Sequence, residues 1–254
     1  DGTDKELPSK STGFDLAASI GARLAKDSIA VVIDGEQKDL SDILPNKAEV
    51  SIITKGSDEG LEIMRHTLAA QVLALAVKNL YPDAKLAIGP TIDDGFYYDF
   101  FMNKPISSDD LPKIEDEMKK IIKSKSKITK TYHSKKEALE VFDDLDEGFK
   151  AEIITDSGQK NDFQLYTQDE TGFIDLCRGP HLPNLDMCGE FKLTKVAGAY
   201  WRGDSTKPML TRIYGTAWNT RKELEAYLNQ LAEAEKRDHR KLGKEMRLFH
   251  FQDE

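Results

Sequence analysis

The sequence predicts an α+β fold, in which helices alternate with antiparallel hairpins. Three observations indicate this class. Two β-branched runs meet at an Asp-Gly turn within 30–40, a long apolar helix is expected between 57 and 82, and strand-like runs separated by turn residues recur over 86–217. Helices mixed with antiparallel strands in this way are typical of α+β domains.

Composition limits the class of protein. The chain has 254 residues, enough for one to two domains, and only two cysteines, Cys177 and Cys188. No run approaches the roughly 18 apolar residues that a membrane helix needs, and the N-terminus shows no apolar signal core. We therefore expect no membrane partner, no disulfide framework and a cytoplasmic location.

The net charge of −9 gives no support to nucleic-acid binding along the whole surface, because such proteins usually carry a basic footprint. Two stretches, 119–130 and 236–247, are nevertheless locally basic. A basic face on an acidic protein can steer RNA toward it. The ordinary alternative for each stretch is a solvated helix surface.

Residues 1–56 are predicted to form a small first domain. The segment 12–25 has helical spacing, with an apolar face made of Phe14, Leu16, Ala17, Ile20 and Leu24. Two strand-like runs joined by the Asp-Gly turn follow, and "AEVSIITK" supplies a closing strand. This combination predicts a β-grasp fold, a small unit that usually binds a partner because its core consumes most of its side chains.

Residues 57–218 are predicted to form the second domain, with a long helix at its centre. Ser57 can cap this helix and Pro82 ends it. Apolar residues occupy nearly every face between Leu68 and Leu80. A helix that is apolar on all sides is buried, so this one should lie in the core.

Further strands and helices are expected around this central helix. A strand, a Gly-Pro break and an aromatic strand occupy 86–100, and helices are predicted at 107–125 and 134–142. A hairpin turning near Glu170–Gly172 and two strands within 190–218 complete the predicted antiparallel sheet.

Residues 219–254 are predicted to form one long helix. It carries a short apolar stripe and is then polar on all sides, as helices that bridge domains often are. No C-cap glycine follows it, so we expect this helix to lead toward a further domain.

The densest chemical cluster is "IDLCRGPH", residues 174–181, which holds an acid, a thiol, a guanidinium and an imidazole. Strand alternation sends Asp175 and Cys177 to one face, and the Gly-Pro break allows His181 to fold back beside them. His66 of the central helix could meet them there. Ester hydrolysis needs such groups: a base that orients water, a donor or cation for the oxyanion, and a pocket.

Spacing alone leaves three interpretations of this cluster open. His66, Cys177 and His181 could ligate a catalytic zinc, for which Cys188 is the remaining candidate ligand. Cys177 could instead be a nucleophile with one of the two histidines as its base. The third interpretation is a buried cysteine and a hydrogen-bonded histidine on an ordinary turn.

Six stretches occur in order along the chain: GLEIMRH, LAIGPTIDDGFYYDF, IDLCRGPH, AGAYWRGDS, RIYGTAW and KRDHRKLGKEMRLFHFQDE. Together they resemble the bacterial type of the threonyl-tRNA synthetase family over essentially the whole chain. The resemblance implies a β-grasp TGS domain at 1–56, an editing domain at 57–218 and a linker helix at 219–254 that leads to a catalytic core. It also implies hydrolysis of mischarged Ser-tRNA(Thr). That error arises because one methyl group is worth only about 1–3 kcal/mol of discrimination.

The resemblance further implies three catalytic residues. His66 would act as a base or position the attacking water. Lys150, in "EGFKAEI", would stabilise the developing negative charge or hold the leaving ribose. Asp175 would hold the amino group of the serine.

Substrate-binding residues are implied as well: Tyr98 would line the pocket, and Cys177 with His181 would bind the substrate and limit its size. The family carries a second histidine four residues after the first, whereas here the helix is one residue longer and Ala70 or Gln71 takes that place. One extra residue rotates the remainder of the helix by about 100°, or is absorbed as a π-bulge. We expect Gln71 to bind substrate through hydrogen bonds, without accepting a proton near neutral pH.

No metal or other cofactor is implied for this part of the chain; ATP, magnesium and zinc would belong to the catalytic core. The implied partners are the acceptor end of tRNA(Thr) and its seryl ester, with a homodimer expected only for the full-length enzyme. The alternatives are an acceptor-binding module with weakened or lost hydrolysis, a free-standing trans-editing deacylase and a zinc hydrolase.

Overall fold

A computed structural model describes residues 2–236. It confirms the α+β class, since helices pack against three antiparallel sheets within that range. The predictions for 237–254, which include most of the second basic stretch and the end of the linker helix, lie outside the described residues. No helix among residues 2–236 has the length and apolar character that spanning a membrane requires.

The first part of the chain builds a three-stranded sheet beside two short helices. Its elements are α1 (Gly13–Ile20), α2 (Ala22–Asp27), β1 (Ser28–Ile33), β2 (Glu36–Asp39) and β3 (Val50–Thr54), with strand order β2-β1-β3. Asp34 and Gly35 both have positive φ and form the predicted turn between β1 and β2. This turn chemistry fixes the hairpin register, in which Ile33 faces Glu36.

The predicted helix over 12–25 is divided in two, because Gly21 adopts an extended conformation between α1 and α2. Leu16 and Ala17 are buried as expected, whereas Phe14 and Ile20 are exposed. The predicted apolar face was therefore wrong for those two residues. The break at Gly21 ends α1 directly after Ile20.

The second part of the chain places a five-stranded sheet against the central helix. Its elements are α3 (Asp58–Thr67), a π-helical segment (Leu68–Leu73), α4 (Ala74–Leu80), β4 (Lys85–Leu86), β5 (Thr91–Ile92), β6 (Gly95–Phe101), α5 (Leu111–Lys123), β10 (Glu190–Tyr200) and β11 (Met209–Trp218). The strand order is β10-β11-β6-β4, and β5 also pairs with β6.

The central helix begins as predicted, with the Ser57 hydroxyl accepting a hydrogen bond from the Gly60 amide at 3.0 Å. The extra residue is absorbed by the π-helical segment, one of the two predicted outcomes. Every residue of that segment is buried, so the helix lies in the core.

A third, smaller sheet packs beside two more helices. Its elements are β7 (Ile128–His133), α6 (Lys135–Asp144), α7 (Gly148–Asp156), β8 (Phe163–Gln168) and β9 (Ile174–Leu176), with strand order β7-β8-β9. Two of these were not predicted. Strand β7 has only half-buried and exposed residues, and α7 has no side-chain cap to mark its start.

One apolar core joins the first sheet to the central helix. Ile29, Ala30 and Ile53 belong to the same buried cluster as Ile63 and Met64. The predicted division between 56 and 57 therefore crosses a shared core, and that boundary stays a prediction. This close packing brings the end of β2 next to the strands of the smaller sheet.

Helix α8 (Arg221–Lys236) is the described part of the predicted linker helix. Leu224 is buried and Tyr227 packs on Trp218, with ring centroids 5.1 Å apart. Leu231 is exposed, so the predicted apolar stripe contacts the sheet only through its first turns.

Candidate active site

A cavity of about 690 Å³ lies between the central helix, β6, α7 and the β8–β9 hairpin. Five of the predicted site residues line it: His66, Tyr98, Lys150, Asp175 and Cys177. They come from four different elements and the turn after β9, so only the folded chain brings them together. A concave site with a few converging polar groups is the usual form of a small-ligand pocket.

A buried ion pair occupies one wall of the cavity. Lys150 Nζ lies 2.6 Å from Asp175 Oδ1, and both side chains are almost fully buried. The Tyr98 hydroxyl donates to Asp175 Oδ2 at 3.0 Å, and the Leu176 amide donates to Oδ1 at 2.8 Å. Burial, together with the adjacent Asp175, raises the pKa of Tyr98 well above its ordinary value, so its hydroxyl remains a donor.

An imidazole and a thiol form a second group of side chains in the cavity lining. His66 Nε2 lies 2.7 Å from Cys177 Sγ, and the Gly179 amide donates to the same sulfur at 3.3 Å. Burial lowers the pKa of His66; the charge of Asp175 opposes this effect and that of Lys150 adds to it. His66 is therefore neutral at pH 7 and able to accept a proton.

His181 does not line the cavity but packs behind His66. The two rings are stacked, with centroids 4.6 Å apart and planes inclined by 10°. His181 Nδ1 lies 3.1 Å from the Thr67 hydroxyl, whereas Nε2 has no hydrogen-bond partner among the described residues. The geometry thus gives His181 a supporting contact with His66, and its predicted contact with substrate stays a prediction.

Gln71 also lies outside the cavity lining, and its predicted contact with substrate stays a prediction. Its side chain is fully buried, and Gln168 Nε2 donates to its backbone oxygen at 2.7 Å. The π-helical segment turns Gln71 toward β8, while Ala70 lines the cavity. The extra residue in the helix is the physical reason for this rotation.

Sequence reasoning missed four residues around the site. Gln37 of β2 lines the cavity, and the Thr67 hydroxyl accepts from the Leu182 amide at 3.0 Å. Tyr166 pairs with Asp175 in the β8–β9 ladder, and Asp39 accepts hydrogen bonds from Tyr166 and His181. The hairpin register could have revealed Tyr166, but no local signal marks Asp39.

Three side chains could be considered as metal ligands. The donor atoms of His66, Cys177 and His181 lie within 4.8 Å of one another. Tetrahedral zinc holds such donors roughly 3.5 Å apart, whereas His66 Nε2 and Cys177 Sγ are only 2.7 Å apart. The stacked rings of His66 and His181 lie in separate, nearly parallel planes, so their in-plane lone pairs do not converge on one ion. As placed, this trio fits a hydrogen-bonded cluster better than a zinc site.

Two family matches fall on the two parts of the chain. Residues 1–54 match the TGS domain, and residues 164–214 match the threonyl and alanyl tRNA synthetase second additional domain. Along its whole length the chain is 47% identical to a threonine–tRNA ligase of Hahella chejuensis and 51% identical to one of Sinorhizobium medicae. The chain is a homologue of threonine–tRNA ligases. It spans 38–39% of the length of these relatives.

The match to the synthetase second additional domain contains three of the site residues, Asp175, Cys177 and His181. His66 and Lys150 lie outside the matched residues and reach the cavity from the central helix and α7. The identification as a synthetase homologue with TGS and editing-type domains therefore agrees with the resemblance seen in the sequence.

Proposed function

We propose that this threonine–tRNA ligase homologue hydrolyses the seryl ester of mischarged tRNA(Thr) in the cavity. One observation carries the proposal. A neutral imidazole and a buried lysine–carboxylate pair line the same cavity of about 690 Å³. These are the base, the cation and the pocket that ester hydrolysis requires.

The proposed reaction begins with a water molecule hydrogen-bonded to His66. As the water oxygen forms a bond to the ester carbonyl carbon, its proton passes to the imidazole. Lys150 stabilises the negative charge that develops on the carbonyl oxygen. The bond from the carbonyl carbon to the ribose oxygen then breaks, and that oxygen takes the proton from His66. The products are serine and uncharged tRNA.

Asp175 and Cys177 suit the recognition of serine. The carboxylate of Asp175 provides negative charge for an amino group, and Tyr98 and Lys150 hold it in place. Cys177 borders the cavity beside His66. We assign to it the size limit that would exclude the additional methyl group of threonine. A methyl group alone contributes about 1–3 kcal/mol to such discrimination.

The direct test is deacylation by the purified chain. We expect Ser-tRNA(Thr) to lose its amino acid faster than the spontaneous rate, and faster than Thr-tRNA(Thr) does. A rate equal to the spontaneous one, with tRNA binding retained, would instead identify an acceptor-binding module. Activity that a chelator removes and zinc restores would establish the zinc hydrolase.

The 2.7 Å contact between His66 and Cys177 favours one second candidate, a cysteine nucleophile. The two mechanisms differ in the Cys177→Ala variant. If water attacks, this variant should keep part of the activity, because the base and the cation remain. Complete loss, together with a seryl thioester trapped on the parent chain, would show that the thiol attacks.

We also propose how this chain relates to a longer enzyme. Its relatives are named as ligases, and it spans 38–39% of their length. We assign ATP, magnesium and zinc binding, and the contacts of a homodimer, to the remainder of such an enzyme in the cytoplasm. The divisions at 56/57 and 218/219 belong to this proposal.

A further inference from the structure

We propose that Asp39 of the N-terminal sheet is a positioning residue for the turn that carries Cys177 and His181. It would hold this turn in place without touching the substrate. The inference rests on the proposed deacylation, since it concerns the same cavity. It makes the first, TGS-type part of the chain a structural component of the active site.

Asp39 lies at the end of β2 and is 7% exposed. Its Oδ1 accepts a hydrogen bond from the backbone amide of His181 at 2.9 Å. Its Oδ2 accepts one from the Tyr166 hydroxyl at 2.7 Å. Hydrogen bonds to a charged acceptor are stronger than neutral ones, so both contacts restrain their partners.

A buried lysine completes this arrangement. Lys130 of β7 places Nζ 2.8 Å from Asp39 Oδ2 and 2.6 Å from Asp42 Oδ2, and its side chain is only 6% exposed. A buried carboxylate is tolerated when it is paired and hydrogen-bonded. Lys130 therefore pairs with the Asp39 carboxylate beneath the turn. Asp42 contacts the lysine and accepts a hydrogen bond from the Asp39 amide at 3.0 Å, but it does not contact the turn.

The turn itself rests on these groups. Gly179 has a φ of 64°, and a Cβ there would overlap the Tyr166 hydroxyl. The Tyr166 ring meets the His181 ring edge-on, with centroids 4.5 Å apart. Asp39 thus fixes both the backbone of the turn and the tyrosine on which the turn packs.

This restraint reaches the reacting groups through two contacts. His181 stacks on His66, and the Gly179 amide donates to the sulfur of Cys177. Asp39 is absent from the cavity wall, so its removal should act on the placement of His66 and Cys177 and leave substrate contacts in place. The expected signature is a fall in kcat at nearly unchanged KM.

The test uses the full chain and three variants: Asp39→Ala, Asp39→Asn and the matched control Asp42→Ala. We expect Asp39→Ala to lower kcat for Ser-tRNA(Thr) about tenfold with KM within about twofold. Asp39→Asn should lose less, because its amide oxygen still accepts from the His181 amide. Asp42→Ala should stay within about twofold of the parent rate, because Lys130 still pairs with the carboxylate of Asp39.

A second readout needs no tRNA. Alkylation of Cys177 by iodoacetamide, followed by mass spectrometry of its peptide, should change at least about threefold in Asp39→Ala and not in Asp42→Ala. A parent chain without deacylase activity would overturn the proposed function, while the alkylation rates would still test the positioning of the turn.

Two results would overturn the positioning role. One is parental kcat and parental alkylation in Asp39→Ala. The other is an equal loss in Asp39→Ala and Asp42→Ala, which would mean that the hydrogen bonds of Asp39 to the turn and to Tyr166 contribute nothing specific. If Asp39→Ala does not fold, Tyr166→Phe removes one of the two contacts and keeps the ring. It should then lower kcat about threefold, and an unchanged kcat would count against the proposal.

Discussion

Two groups of side chains at the cavity, which we call the charged wall and the imidazole wall, are built on different physical principles. The charged wall, made of Tyr98, Lys150 and Asp175, is buried, and each oxygen of its carboxylate has a hydrogen-bond partner. The imidazole wall is made of His66 and Cys177, and His181 packs behind it. His66 is uncharged, and Nε2 of His181 has no hydrogen-bond partner among the described residues.

Because of this difference, the charged wall contributes to stability and the imidazole wall to proton transfer. A closed network of buried charges provides a fixed electrostatic environment, and breaking it leaves an unpaired charge. The His66 imidazole can accept a proton because burial keeps it neutral at pH 7 and no ion pair within residues 2–236 holds it. We therefore expect changes in the charged wall to reduce both folding and activity, and changes in the imidazole wall to reduce activity alone.

The largest effect is expected for Lys150→Met, which removes the cation and leaves Asp175 buried. The free energy of unfolding should fall by about 3–5 kcal/mol, and deacylation should become undetectable. Urea unfolding and a Ser-tRNA(Thr) assay measure the two effects. Lys85→Met is the matched control, because the carboxylate of its ion-pair partner Asp146 is exposed to solvent. Loss of this pair should lower the free energy of unfolding by less than about 1 kcal/mol. Equal losses in the two variants would remove the distinction between a buried and a surface pair.

His66→Ala should separate activity from stability. We expect the deacylation rate to fall about 10²- to 10⁴-fold, the contribution of a general base. The unfolding midpoint should change little, because the side chain is only half-buried at the edge of the cavity. The control is His133→Ala, which lies on β7 and outside the cavity lining. A parental rate in His66→Ala would show that the imidazole wall does not supply the base.

The pH dependence of the rate tests the same residue in the parent chain. Burial lowers the pKa of His66 below the ordinary 6.5, so the neutral base persists as the pH falls through 6.5. Activity should decline only at a lower pH, where the folded imidazole takes up a proton. As the pH falls, the unfolded chain takes up this proton at a higher pH than the folded chain does. His66 therefore contributes to the free energy of unfolding above pH 6.5, and this contribution is lost as the pH falls through its folded pKa. A rate that already halves at pH 7 would contradict the lowered pKa.

The imidazole wall was easier to predict from the sequence than the charged wall. Cys177 and His181 stand in one short motif, and the Gly-Pro break between them is visible in the sequence. Lys150 lies on α7, which has neither a capping side chain nor a clear apolar stripe. Its pairing with Asp175 depends on how α7 packs against β9, and no local pattern encodes that packing.

Long-range contacts explain most of what the sequence did not predict. Asp39 and His181 are separated by 142 positions, and their hydrogen bond exists only because the first sheet packs against the β8–β9 hairpin. Hairpins and caps were predicted well, since the Asp34-Gly35 turn and the Ser57 cap depend on neighbouring residues alone. The orientation of the Gln71 side chain could be predicted only by knowing that the helix accommodates its extra residue as a π-helical segment.

The smallest effect is expected for Gln71→Met, which tests whether this position belongs to either wall. Gln71 is buried away from the cavity, and its side-chain Nε2 has no partner among the described residues. The main contact from Gln168 is to the backbone oxygen of Gln71, which the variant keeps. Methionine has a similar volume and no polar atoms to satisfy, so stability should change by less than about 1 kcal/mol. Deacylation should stay within about twofold of the parent rate. A tenfold rise in KM would mean that Gln71 turns into the cavity when substrate binds.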